Sequence, residues 1–410
     1  MIKKAKIFIE KLKGLGTKIS QNFYWVGIKK VYWTNPVLLA YSSGYLDEVE
    51  PILTKHPADW ELKIKTTKER IEVLVEQFFR ESITEPGLQA KLIESLQTGV
   101  EFTPNQIEVN FNDMGTTCDS ACGTCSIAYK EGDKIISPEV YNERIHKLFI
   151  KGLELRQIAN NAASEDEKMK LIEEAARLFS KAEFYCKNVD SIITIKKVVV
   201  EEENGEEITC DFYALNALVH ELGHSVSSRW GVKGYEKDPI IGEIESVFIE
   251  NIFNDYVLKN AKKVCKILNC GLKEEDLKDE VIITRYKNLE AYLSREKVFR
   301  TKGFKYAMLN RSQKKYARCP SKYYDKRRSS QYLVGEICAR LLYEKYKTDP
   351  KGAVEMFATF LAHNSRLNLN EAVILLTDGA CSNFREAKKA HDEIYKKQAE
   401  HVFDEKSEKV

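Results

Sequence analysis

The sequence predicts a mainly α-helical protein with a small β-hairpin or sheet beside one of its central helices. Two apolar segments, residues 211–230 and 240–258, repeat their hydrophobic residues at steps of three and four, the period of a helix. Glycine (20) and proline (9) are sparse among 410 residues, 43 % hydrophobic and 31 % charged, which is typical of a soluble globular protein. Residues 191–202 alternate in polarity and precede Asn204-Gly205, a pattern that predicts the hairpin.

The first 110 residues are predicted to form a helical N-terminal region. Helical patterns are found at residues 65–81 and 85–97. His56 stands directly before Pro57 and has no evident partner in the nearby sequence. We therefore expect this histidine at the surface, with no role in a functional site.

Charge and hydropathy argue against two classes of protein. The net charge is +2, so there is no electrostatic case for binding nucleic acid. No segment approaches the ~18–20 consecutive apolar residues of a membrane span. Lys11 and Lys13 interrupt the apolar run that a secretory signal would need. We expect a cytoplasmic protein whose scattered cysteines are reduced, and the sequence does not indicate its oligomeric state.

A glycine-containing loop at residues 116–127 holds Cys118, Cys122 and Cys125 in the spacing C-x₃-C-x₂-C. This spacing is also the iron–sulfur cluster signature of radical-SAM enzymes, although the alternating strands and helices of that class are missing from the pattern. A structural zinc ion would need a remote fourth ligand, and a disulfide would need an oxidising compartment. A second, structural metal at these cysteines therefore competes with three unliganded thiols, and the alternatives stay open.

The segments after this loop lead to the central helix. Residues 133–137 are predicted to form a short strand, and residues 140–162 and 164–187 two long helices. The hairpin would then pair residues 191–202 with 207–210, directly before the first apolar helix.

That helix contains the pattern HExxH at residues 220–224. Positions i and i+4 lie on one face of a helix, so His220 and His224 can bind the same Zn²⁺ ion. Glu221 lies beside them and can accept a proton from a metal-bound water. Gly223 costs about 1 kcal/mol relative to alanine inside a helix, which predicts a packing reason for it. Because so short a pattern also occurs by chance, a metal site is predicted only if the sequence offers a third ligand.

Three carboxylates interrupt the second apolar helix: Glu243, Glu245 and Glu250. Buried carboxylates are costly unless they are paired or bind a metal. Glu243 and Glu250 are seven residues apart and share a helix face. Glu243 follows His224 by nineteen residues, so a loop between two antiparallel helices can bring it to the metal. We predict Glu243 at the site and Glu245 at an ordinary solvated position.

Three segments in the second half of the chain resemble the zinc oligopeptidases of the thimet oligopeptidase and oligopeptidase F type, which are HExxH gluzincins. Residues 220–226, HELGHSV, are similar to the family's HELGHSxHS. The family pattern E-x-x-S-x-x-x-E-N is matched at Glu243, Ser246, Glu250 and Asn251. The family pattern R-x-P-H-x-Y-Y…Y-x-x-G is matched, histidine excepted, at Arg318, Pro320, Tyr323, Tyr324, Tyr332 and Gly335.

The resemblance implies that His220, His224 and Glu243 hold one catalytic zinc ion and that Glu221 is the general base. It implies a helical, zincin-type fold in which residues 111–410 form the catalytic domain, with the site in a channel that admits short peptides. Such a protein is a zinc metallopeptidase, a hydrolase that cleaves peptide bonds with a glutamate-activated, zinc-bound water. Glu250 is expected to orient a ligand histidine through its other ring nitrogen.

The sequence departs from the family in the third motif. Ser321 replaces the expected histidine, and residues 327–330 replace expected tyrosines. In the family this region donates hydrogen bonds to the oxyanion, and one such donor is typically worth about 10²–10³ in rate. Tyr323, Tyr324 or Arg327 can take that role, and the sequence does not choose among them. The losses favour an alternative: a catalytically weakened, zinc-containing binding or scaffold protein.

Residues 311–328 form a strongly basic segment with interleaved tyrosines. We interpret it as a basic wall beside the site that would favour acidic peptides or the C-terminal carboxylate of a substrate. A solvated basic surface and a nucleic-acid contact are the competing interpretations.

Overall fold

The part of the chain that the structure describes is mainly α-helical, as the sequence predicts, and contains two small antiparallel sheets. The computed structural model describes residues 40, 44–56, 62–103, 106–111, 125–187, 190–195, 207–230, 239–301, 321–364 and 366–408. Cys118, Cys122 and residues 311–320 of the basic segment lie outside these ranges, so their predicted roles stay predictions.

The described helices and strands are given in chain order. The helices are α1 (Glu50–Lys55, after a π-helical turn at Tyr45–Val49), α2 (Lys68–Ser82), α3 (Pro86–Gly99), α4 (Pro138–Ala159), α5 (Glu165–Lys187), α6 (Phe212–Trp230), α7 (Ile244–Lys259, after a 3₁₀ turn at Pro239–Ile241), α8 (Ala261–Leu268), α9 (Glu274–Thr301), α10 (Ser321–Thr348), α11 (Pro350–His363), α12 (Leu369–Leu376) and α13 (Phe384–Glu408). The strands are β1 (Ile64–Thr67), β2 (Val100–Thr103), β3 (Gln106–Phe111), β4 (Cys125–Glu131), β5 (Lys134–Ile136), β6 (Asp190–Ile195) and β7 (Glu207–Cys210). None of the described helices combines the length and the hydrophobicity of a membrane-spanning segment.

The predicted hairpin before α6 falls largely outside the described residues and stays a prediction. The described part of its first arm, strand β6, lies inside a five-stranded sheet of order β2-β3-β6-β4-β5, between β3 and β4. Strand β7, its second arm, pairs along one edge with β1, from Ile64 opposite Cys210 to Thr67 opposite Glu207. The turn residues Asn204 and Gly205 lie outside the described ranges. A strand pair does stand directly before α6, but its other strand comes from the N-terminal region.

Two N-terminal details also differ from the sequence prediction. Residues 65–67, predicted as helix, belong to β1, and α2 begins at Lys68 because the Thr67 hydroxyl accepts a hydrogen bond from the Arg70 N–H (3.4 Å). His56 is not a surface histidine, because its side chain is only 9 % exposed and its Nε2 lies 2.9 Å from Asp279 Oδ2 on α9. A tertiary partner more than two hundred residues away explains why the local sequence gave no sign of this contact.

The central helices α6 and α7 lie in the middle of the hydrophobic core. The predicted apolar residues of α6 are all at most 1 % exposed: Phe212, Leu215, Leu218, Val219, Leu222 and Val226. Helix α7 is buried almost all round, between α6 on one side and α10 on the other. Fully burying one such side chain contributes about 1.5–3 kcal/mol, so this packing holds both helices rigidly in place.

The predicted division of the chain near residue 110 falls inside β3, which pairs with β2 before it in the sequence and with β6 after it. Apolar residues from both sides of this position also belong to one continuous core. The separate N-terminal region and catalytic domain stay a prediction.

Candidate metal centre

Helix α6 presents both histidines of the HExxH pattern on one face. The helix is capped at its start by Asp211, whose Oδ1 accepts a hydrogen bond from the Ala214 N–H (2.7 Å). The ring centroids of His220 and His224 are 5.0 Å apart, with the rings at 85° to each other. The His224 side chain is fully buried, whereas His220 is 12 % exposed. One histidine thus lies in the protein interior and the other borders open space.

Helix α7 runs antiparallel to α6 and lies unusually close to it. Residues with increasing numbers in α6 contact residues with decreasing numbers in α7. Phe212 stacks on Phe253, and Asn216 Nδ2 lies 2.6 Å from Glu250 Oε1. At the level of Gly223, a Cβ atom would lie 2.8 Å from the Cα atom of Ser246. Only glycine permits this approach, which is the packing reason that the sequence predicts for it.

Glu243 occupies the cap position of α7, directly before its first turn, and not a position inside the helix. The Ser246 hydroxyl donates to the Glu243 backbone carbonyl (3.2 Å) and to its Oε2 atom (3.4 Å). From the other side, α10 approaches so closely that a Cβ on Gly335 would lie 2.7 Å from Glu243 Cβ. Neighbouring elements therefore hold the backbone and the carboxylate of Glu243 in one place.

The structure brings His220, His224 and Glu243 together. Glu243 Oε2 lies 3.4 Å from His220 Nε2 and 3.5 Å from His224 Nε2. Donor atoms at about 2.0–2.2 Å from a tetrahedral metal ion are separated by roughly 3.3–3.6 Å, which matches these distances. Among the described residues, this trio is a group whose ligand atoms all lie within 4.8 Å and could hold a metal ion.

The outer nitrogens of both imidazoles face carboxylates. His220 Nδ1 lies 3.1 Å from Glu250 Oε2, and His224 Nδ1 lies 3.4 Å from Glu245 Oε1. A carboxylate in this position accepts the Nδ1–H bond and leaves the Nε2 lone pair for a metal. The contact predicted for Glu250 is confirmed.

The predicted solvated position of Glu245 is wrong. This residue is 1 % exposed and lies in the first turn of α7, in the interface with α6. The prediction assumed that a glutamate beside an apolar stripe faces water. Helix α7 has no water-facing side at this level, so its acidic residues are buried and need partners from neighbouring elements.

Glu250 is held by two amides that the sequence analysis missed. Asn216 Nδ2 and Asn288 Nδ2 both donate to Glu250 Oε1 at 2.6 Å. Asn216 precedes His220 by four residues and so shares its helix face, which is a signal that could have been used. Asn288 comes from α9, and nothing in its local sequence points to the site.

The carboxylates around the two histidines favour positive charge at the site. Burial would lower the pKa of His220, but the Glu243 and Glu250 carboxylates raise it well above its ordinary value. Burial acts likewise on His224, and Glu243, assisted by Glu245, raises its pKa to about 9. Burial would raise the pKa of Glu243, but the two histidines hold it well below its usual range. A cation, whether proton or metal ion, is electrostatically stabilised here.

A cavity of about 570 Å³ opens beside the trio. His220, Glu221, Glu250, Asn251 and Tyr332 are among the residues that line it. Glu221 is 3 % exposed, and its Oε2 atom has no hydrogen-bond partner among the described residues. A buried carboxylate oxygen without a partner is costly, so it marks a place where a ligand, a water molecule or a proton is expected.

No family model, curated protein or solved structure matches this chain. The resemblance to zinc oligopeptidases therefore stays a prediction that rests on the three motifs.

One residue of the third motif, Tyr332, lies near His220, although it was not predicted to be catalytic. Tyr323 and Tyr324 lie in the first turn of α10, and their side chains are outside the described part of the structure. Tyr332, further along α10, has its ring centroid 6.4 Å from that of His220, at an angle of 17°. Cys125 is the first residue of β4, and its side chain is likewise not described, so the cysteine-loop metal stays untested.

Proposed function

We propose that this protein is a zinc-dependent peptidase that hydrolyses short peptides. The observation that supports this most strongly is the composition of the site. Three convergent ligands stand beside a cavity that is lined by one of them, His220, and by Glu221, whose buried carboxylate oxygen lacks a described partner. Structural zinc sites are closed by four protein ligands, whereas catalytic sites have three and keep one position open.

The donor set suits zinc. Two imidazole nitrogens and one carboxylate oxygen would hold the ion, supplied by His220, His224 and Glu243. Glu250 and Glu245 fix the orientation of the two rings. Zinc bound in such a site acts as a Lewis acid that polarises a carbonyl group and makes water more acidic.

The residues of the chain have separate tasks in this proposal. Glu221 accepts a proton from the attacking water and delivers it to the leaving amine, which requires a carboxylate that is not already engaged. Asn216 and Asn288 hold Glu250, and through it the ring of His220. A cavity of about 570 Å³ is in the range of small-molecule sites, and it accommodates a few residues of extended chain but no folded domain.

The proposal is tested by hydrolysis of a panel of short quenched peptides by metal-replete protein. We expect cleavage that is lost after chelation and restored by added Zn²⁺. A chain that binds zinc at the trio and cleaves no peptide would contradict the peptidase assignment. It would favour the alternative of a catalytically weakened zinc-containing binding protein.

The substitution Glu250→Gln is expected to weaken zinc binding by about 10–100-fold. The amide oxygen of glutamine can still accept the hydrogen bonds from Asn216 and Asn288, but its NH₂ group would then face the Nδ1–H of His220. Two donors cannot pair, so the ring loses its fixed orientation. Competition with a fluorescent zinc chelator measures the affinity.

Asp255→Asn is the matched control for this measurement. Asp255 is on the same helix, and its carboxylate pairs with Lys259 (2.6 Å) away from the trio. Equal zinc affinities of the Glu250→Gln, Asp255→Asn and wild-type proteins would contradict the orienting role of Glu250.

A further inference from the structure

Three arginines line the same cavity as His220 and Glu221. Arg285 and Arg295 come from α9, and Arg340 comes from α10. Guanidinium groups match carboxylates in geometry and form bidentate hydrogen bonds with them. Arginines in a cavity beside a candidate hydrolytic site indicate that a negatively charged group of a ligand can bind there.

One of these arginines, Arg295, is within the reach of a short peptide from the metal trio. The Arg295 guanidinium carbon lies 4.3 Å from the centroid of the Tyr332 ring, and that centroid lies 6.4 Å from the centroid of His220. The guanidinium is therefore no further from the His220 ring than these two distances combined. An extended chain advances about 3.3–3.6 Å per residue, so the span corresponds to about three residues at most.

The arginines differ in whether acidic residues of the protein neutralise their positive charge. Arg340 Nε lies 2.9 Å from Glu344 Oε1, and its guanidinium carbon lies 5.5 and 5.4 Å from the ring centroids of Tyr343 and Tyr395. Arg340 thus has a structural environment of its own. Arg285, by contrast, forms no salt bridge or hydrogen bond with any residue that the structure describes.

Two carboxylates that line the cavity, those of Glu336 and Glu48, interact with residues other than Arg285. Glu336 also lines the cavity, and burial raises the pKa of its carboxyl group, although Arg340 lowers it. Glu48, another lining residue, accepts a hydrogen bond from the Tyr286 hydroxyl at 3.3 Å. This leaves Arg285 as a half-buried cation on the cavity wall, available to a ligand.

We propose that Arg285 and Arg295, which both line the cavity, bind a carboxylate of the peptide substrate, namely its C-terminal carboxylate, with Arg295 within about three residues of the cleaved bond. This inference rests on the proposed peptidase function, whose substrate class it narrows to short peptides with a free C-terminus. An acidic side chain near that end carries the same chemical group, so the test has to distinguish the two sources.

The test measures binding of three N-acetylated tetrapeptides to full-length, zinc-loaded Glu221→Gln protein by calorimetry. That background keeps peptides intact if Glu221 is the base. The peptides are an alanine peptide with a free acid, the same peptide as its amide, and an amide whose last residue is glutamate. We expect the free acid to bind at least about tenfold more tightly than the alanine amide.

Adding Arg285→Gln is expected to reduce affinity for the free acid by about tenfold or more and to leave the alanine amide nearly unchanged. Lys287→Gln is the control, since Lys287 is exposed on the same helix and does not line the cavity. Tight binding of the glutamate amide would assign the site to an acidic side chain. Equal binding of acid and amide, or equal losses for both in Arg285→Gln, would overturn the inference.

Hydrolysis assays with wild-type protein separate the peptidase proposal from the carboxylate-binding proposal. They compare peptides that end in a free acid with the same peptides as amides. Cleavage without preference for a carboxylate would leave the peptidase function standing and overturn this inference. Carboxylate-dependent binding without cleavage of any peptide would overturn the peptidase function and leave a carboxylate-binding site.

Discussion

Glu221→Gln is expected to lower kcat for a cleaved peptide by about 10²–10⁴-fold while zinc remains bound. Glutamine has nearly the shape of glutamate but cannot accept a proton at neutral pH. Glu221 is not among the three convergent ligands, so the metal donors are unchanged in this variant. Stopped assays on the best peptide of the panel measure kcat, and elemental analysis of the same sample measures zinc.

Glu290→Gln is the matched control for this substitution. Glu290 is a partly buried glutamate of α9, and burial raises the pKa of its carboxyl group, but it does not line the cavity. We expect this variant to keep wild-type kcat. Turnover that survives in Glu221→Gln at the wild-type rate would show that another group is the base.

Local sequence periodicity was sufficient to locate the helices that carry the site. The apolar residues of α6 recur at helical steps, and the structure buries all six of them, which places His220 and His224 on one face. Pairing between strands was not predictable in the same way. The alternating pattern of residues 190–195 indicates a strand, but only the structure shows that this strand lies between β3 and β4.

The environment of the metal donors depends on contacts between elements that are distant in the sequence. Gly335 is one residue of a short motif in α10, and only the structure shows that its missing Cβ makes room for Glu243. Asn288 reaches Glu250 from α9 without any local pattern. Arg285 is one of many charged residues in α9, and its position on the cavity wall is a tertiary property.

The arginines that line the cavity modify the interpretation of the basic segment 311–328. The sequence predicts carboxylate recognition by that segment, of which residues 311–320 lie outside the described ranges. Arg285 comes from a different helix and lines the same cavity as the trio. In our proposal carboxylate recognition depends on Arg285 and not on the basic segment, and Arg285→Gln tests it without disturbing residues 311–328.

His220→Ala is expected to abolish zinc binding at the trio and, with it, peptide hydrolysis. The substitution removes one of three donors and leaves His224 Nε2 and Glu243 Oε2, 3.5 Å apart, as an incomplete site. It also leaves the partly buried Glu250 carboxylate without its histidine partner, so the variant is expected to be less stable even without metal. Loss of activity alone would therefore not distinguish a lost ligand from a damaged fold.

The decisive measurement is the change in unfolding temperature on addition of zinc. A ligand that binds only the folded state stabilises it by RT ln(1 + [L]/Kd), about 4 kcal/mol at a thousandfold excess over Kd. We expect this zinc-dependent rise in wild-type protein and in His363→Ala, whose histidine is exposed at the end of α11, but not in His220→Ala. A rise of equal size in His220→Ala would place the zinc elsewhere, with the cysteines at positions 118, 122 and 125 as the next candidates. Zinc-dependent stabilisation that disappears with His220 alone would identify the trio as the binding site independently of any catalytic assay.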